Sequence, residues 1–168
     1  MRKGIVLIII ILANLLMLGS CGIMGGRTIF DDDGKRADPR MEQIVSAIKN
    51  NDKEALKSLF SEKALEEAVD FDTDLEYLFD FIQGDIDSWE RDSVSSDGSI
   101  RSGRKSLMIR FLIALTTGID EYHLYVIDYA TDTIDSDNQG LYMLEVCLAD
   151  SPNTGSWQER MRAGLYIH

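Results

Sequence analysis

Hydrophobic positions along this chain follow three successive rules. From Ile5 to Leu18 they form an almost unbroken run whose only polar member is Asn14. From Met41 to Ile82 they recur every three or four residues, and from Leu107 onward every second residue. The first rule predicts a targeting segment, the second a set of amphipathic helices, and the third strands with one buried face. Met41, Ile44, Val45 and Ile48 share one helix face, with Asp38-Pro39 the expected start because proline is favoured at a first helical position. After Asn50-Asn51-Asp52, Ala55, Leu56, Leu59 and Phe60 continue the pattern. Ser61 is placed to open a third segment carrying Leu65, Ala68 and Val69. A fourth is expected from about Thr73, striped by Leu75, Leu78, Phe79 and Ile82 and stopped by Gly84.

In the second half, Leu107, Ile109, Phe111, Ile113 and Leu115 alternate with Met108, Arg110, Leu112 and Ala114. Tyr122, Leu124 and Val126 alternate with His123, Tyr125 and Ile127, a run dense in strand formers. Leu141–Leu148 gives another strand after a turn at Asp135–Gly140, Ile86–Val94 a weaker one, and Gly164–His168 a short terminal one. Helices first and adjacent strands later predict an α+β domain with N-terminal helices packed on an antiparallel sheet.

The apolar start changes the picture of location. Arg2 and Lys3 precede the run, which is shorter than the roughly 20 residues an ordinary spanning helix needs. It ends in Leu18-Gly19-Ser20-Cys21. This tetrapeptide resembles the lipobox of bacterial lipoproteins, which implies lipidation of Cys21 and anchorage on the extracytoplasmic face of the cell membrane. The expected organisation is a signal peptide over 1–20, a flexible tether over 21–38 from the lipidated cysteine, and a single α+β domain over 39–168. Two acyl chains would suffice for stable attachment.

A wider resemblance rests on the lipobox together with Asp52–Phe60, Gly84–Glu90, Tyr122–Tyr129 and Gly164–Ile167, in that order. Over about Pro39 to His168 the chain resembles an uncharacterised family of Gram-positive lipoproteins with a nuclear-transport-factor-two-like, or cystatin-like, domain. The resemblance implies helices on a long curved sheet and a cone-shaped cavity, and carries no catalytic residues across.

Composition narrows the function classes. The chain of 168 residues holds 17 basic and 29 acidic residues, a net charge of −12. That charge argues against a nucleic-acid partner held by phosphate attraction. Loss of residues 1–20 removes Arg2 and Lys3 but no acid, so the mature chain is more anionic still. Two cysteines and two histidines supply neither a disulfide framework nor a histidine-rich metal site, and no cofactor or metal is expected. Cys147, within an apolar run, reads as a buried thiol. Asp31–Asp33 reads as solvated charge. Asp70–Glu76 and Asp135–Gly140 have acids at calcium-loop spacing but lack the closing glutamate, with Phe81 and Val146 at the twelfth places. Helix capping and a hairpin turn are the expected readings.

His123, Asp128, Tyr77, Tyr122 and Tyr125 supply the residue types of an acid–base pocket without forming a motif. An ordered His123–Asp128 pair in a closed cavity would favour an enzyme, such as an isomerase, a hydrolase or a cell-wall-modifying activity. An acid-free stretch from Gly98 to Ile119 carries Arg101, Arg104, Lys105 and Arg110. Internal charge balance is its expected role. Trp89 and Trp157 read as core or rim aromatics. The leading expectation is a non-catalytic module binding a small molecule or a protein. Tyr77, Arg110, Phe111, His123 and Tyr125 are its candidate ligand-binding residues, with Phe111 lining an apolar cavity. A structural assembly module would instead form a homodimer through its exposed sheet face.

Overall fold

The computed structural model describes residues 33–149 and the backbone of 162–165. The signal segment, Cys21, the rest of the tether before Asp33, Trp157 and residues 166–168 lie outside the described residues. Four helices come first: α1 (Asp33–Lys49), α2 (Lys53–Lys57), α3 (Glu62–Glu67) and α4 (Phe71–Phe81). Five strands follow: β1 (Ile86–Arg101), β2 (Arg104–Thr117), β3 (Glu121–Asp132), β4 (Gly140–Leu148) and β5 (Arg162–Leu165). They pair antiparallel in the order β1-β2-β3-β4-β5. The fold is α+β, as the change of periodicity predicts.

The core forms where the helical stripes meet one face of the sheet. Met41, Ile44, Val45 and Ile48 of α1 are buried, with Leu75 and Leu78 of α4. They join Leu107, Ile109, Phe111, Ile113 and Leu115 of β2 and Tyr122, Leu124 and Val126 of β3. Alternation sends Arg110 of β2, and His123 and Tyr125 of β3, to the opposite face. The Tyr122 hydroxyl, inside the core, accepts a hydrogen bond from the Gln83 amide at 2.9 Å. The Asp52 side chain caps α2 through the Ala55 amide at 2.9 Å, and Ser61 caps α3 through Ala64 at 3.1 Å.

Three elements depart from the expected pattern. Helix α1 starts at Asp33 and runs through Pro39, instead of starting at Asp38-Pro39. An interior proline removes a hydrogen bond at a cost of about 3 kcal/mol. Tertiary contacts offset it: Ala37 is buried, and Asp38 is ion-paired with Arg91 of β1. Helix α3 stops at Glu67, leaving Val69 92% exposed rather than on an apolar stripe. Strand β1 extends to Arg101, far past Val94, and closes on β2 through Ser102-Gly103, both at positive φ. As an edge strand it draws its order from backbone pairing with β2, so it needs no apolar alternation.

The Asp135–Gly140 segment is a turn, with a 3₁₀ stretch at Ser136–Asn138. Gly140 lies at φ +130, and a Cβ there would sit 2.9 Å from the Ser61 amide nitrogen. The glycine therefore serves the close approach of the α2–α3 connection, where Phe60 bridges to Leu141. No helix among the described residues is long and apolar enough to cross a membrane.

Candidate functional site

The sheet separates the candidate ligand residues instead of gathering them. Arg110, His123 and Tyr125 share the face opposite the helices, where Arg110 pairs with Asp97 of β1 and lies near the rings of Tyr125 and Tyr129. Phe111 points the other way and is 1% exposed, sealed among core side chains rather than lining a cavity. A tryptophan there would overpack the core instead of filling a void. Tyr77 stands on α4, 54% exposed, its ring 6.2 Å from that of Phe81. His123 and Asp128 lie on opposite faces of β3, so they form no acid–base pair. The Cys147 thiol is buried, its Sγ 3.7 Å from the His123 carbonyl oxygen. Trp89 borders a cleft of about 240 Å³ with Ser88, Glu90, Ala114 and Thr116. No group of three or more metal-ligating side chains occurs among the described residues.

The arrangement with most chemistry lies where α1 crosses β3. Tyr122, Leu124, Val126 and Asp128 occupy successive inward positions of that strand, so the fourth inward side chain is a carboxylate. Asp128 is 3% exposed. Its neighbour is Arg40 of α1, whose Nε lies 3.1 Å from Oδ1. The Nε–H is not directed along that line, so the contact is an ion pair and Oδ1 accepts no hydrogen bond. Burial pushes the Asp128 carboxyl above its ordinary pKa, and the charge of Arg40 opposes that shift without cancelling it. Arg40 is itself oriented by donating from Nη1 to Gln43 Oε1 at 3.2 Å, one turn along the helix.

This ion pair floors an open cleft of about 310 Å³ lined by Arg36, Pro39, Arg40, Gln43, Asp128 and Ala130. Arg36, one turn before Arg40 on the same helix face, is exposed. A larger groove of about 490 Å³ runs along the other side of Pro39, past Glu42, Ser46 and Asn50 to Leu59. Among the described residues, the buried side-chain atom without a hydrogen bond is Asp128 Oδ1. Sequence reasoning named Asp128 only as a partner for His123 and missed Arg36 and Arg40. The available signal was an acid interrupting the inward alternation of β3. Nothing in the spacing of α1 pointed to its two arginines as a pair.

The family model for a domain of unknown function, DUF5104, matches residues 43–149. The chain belongs to this family. The match runs from within α1 to the end of β4, so Gln43 and Asp128 fall inside the DUF5104 domain. Arg36 and Arg40 precede it. No curated protein matches the chain.

Proposed function

We propose that the chain is a lipoprotein held by lipidated Cys21 on the extracytoplasmic face of the cell membrane. Its DUF5104 domain, of the nuclear-transport-factor-two-like kind, is a non-catalytic binding module for a small polar molecule. The fold assignment is supported by helices covering one face of long antiparallel strands in sequential order. The binding role rests on one observation: a nearly buried carboxylate, ion-paired with Arg40, floors an open cleft. The Asp128 side chain is 5% exposed, which leaves its carboxylate an edge that can accept from a donor in the cleft. The His123–Asp128 pair that would favour an enzyme is not formed, because His123 lies across the sheet.

A thermal-shift screen of the full chain in detergent tests the binding role, because a ligand stabilises the native state by RT ln(1 + [L]/Kd). A small polar compound should raise the Tm of the wild type and lose most of that effect on Asp128→Ala. A compound that shifts both equally does not occupy this cleft. Labelling with radioactive palmitate tests the anchor: wild type should incorporate it and Cys21→Ala should not. Equal incorporation by both proteins refutes lipidation at Cys21.

A further inference from the structure

Three features of the α1–β3 cleft restrict what it can hold. Its floor offers an acceptor, since the Asp128 carboxylate lines the cleft with 5% of its side chain exposed. That carboxylate already faces one cation, the Arg40 guanidinium at 3.1 Å. A second cation would be repelled by Arg40, so the matching donor is a neutral hydroxyl or amide N–H. At the rim, the exposed Arg36 has no ion pair among the described residues, whereas Asp128 and Arg40 neutralise one another. Among the described residues the cleft lining therefore carries a net positive charge, on a chain whose total is −12. An exposed guanidinium beside a small cleft favours a carboxylate, which it can meet with two parallel hydrogen bonds. The volume of about 310 Å³ lies at the small end of ligand sites, the scale of one sugar ring or one acylated amino acid.

We infer that this cleft binds a small hydroxy- or amido-carboxylate, its neutral donor on Asp128 and its carboxylate on Arg36. This inference rests on the binding role proposed above and goes beyond it by naming the ligand chemistry.

The test uses the full chain in detergent, with glucuronate as the hydroxy-carboxylate probe and N-acetylglycine as the amido-carboxylate probe. Glucose lacks the anion, acetate lacks the neutral donor, and glucosamine exchanges anion for cation. At equal concentration, at least one carboxylate probe should raise Tm, and the three controls should leave it in place. Arg36→Ala should weaken the active probe about tenfold by calorimetry while leaving the unliganded Tm unchanged, because Arg36 is exposed and makes no ion pair among the described residues. Asp128→Ala should weaken it at least as much. If Asp128→Ala does not fold, Arg36→Ala and the three controls still decide the matter. Glucose binding as well as glucuronate, or unchanged affinity in Arg36→Ala, overturns the assignment. If neither carboxylate binds but another compound shifts the wild type and not Asp128→Ala, the ligand class is wrong and the binding role stands. If no compound shifts the wild type, both fail.

Discussion

Asp128 and Asp132 lie four residues apart on β3, both buried, and their surroundings differ in kind. Asp132 is 4% exposed and accepts four hydrogen bonds. The amides of Ile134 and Asp135 reach Oδ1 at 2.9 Å each, while Ser106 and Asn138 donate to Oδ2 at 3.2 and 3.4 Å. Burial pushes its carboxyl up, but the amides of Asp135 and Ile134, with Asn138 and Ser106, outweigh that and leave the pKa below the ordinary value. Asp128, 3% exposed, has one off-line arginine, and burial leaves its pKa raised. A bulge beside Ala130 lies between them and turns Asp132 toward its loop. The satisfied carboxylate organises a loop. The other keeps one oxygen without a hydrogen bond, beside an open cleft.

The largest test of this contrast is Gly140→Ala, at the end of the loop that satisfies Asp132. Strain at φ +130 and the approach to the Ser61 backbone should cost about 3 kcal/mol. Hydrogen exchange at the amides of residues 134 and 135 should speed up, with binding in the α1–β3 cleft retained. Next is the same substitution at both sites. Asp132→Asn should cost about 1–3 kcal/mol, because an amide cannot accept from all four donors. Asp128→Asn should cost less than Asp132→Asn, since it breaks one ion pair to a partly exposed arginine and no hydrogen bond. Equal losses in urea denaturation would erase the distinction.

The two carboxyls should also tilt the pH dependence in opposite senses. An unfolded aspartate titrates at about 3.9. The depressed Asp132 adds stability above that value and loses it as pH falls through the folded pKa. The raised Asp128 costs stability at neutral pH, and the cost is relieved as pH falls from its folded pKa toward about 3.9. Stability measured from neutral to acid pH should therefore fall more steeply in Asp128→Asn than in wild type, and less steeply in Asp132→Asn. The smallest expected change is in Arg36→Ala, whose stability should match wild type within about 0.5 kcal/mol.

How much was legible beforehand follows the same physics. Where burial alone decides, as on α1, β2 and β3, period and face read directly from Met41–Ile48, Leu107–Leu115 and Tyr122–Val126. Strand β1 did not, because an edge strand of Ser and Asp residues is ordered by its neighbour's backbone. The start of α1 did not, because Ala37 and the Asp38–Arg91 pair carry the helix across Pro39 only once β1 is in place. The cleft was half legible. Asp128 breaks an apolar alternation within its own strand, but its meeting with Arg40 joins positions 88 residues apart. No local pattern encodes that meeting.

The most direct measurement is a carbon-detected NMR titration of the Asp128 and Asp132 side chains, with and without saturating glucuronate. Asp128 should titrate above the ordinary carboxylate value in the free protein and move down when a ligand donor reaches it. Asp132 should titrate below the ordinary value in both states. An Asp128 that titrates at or below the ordinary value, unmoved by any ligand that binds the chain, would contradict the claim that its carboxylate is kept unsatisfied for a ligand.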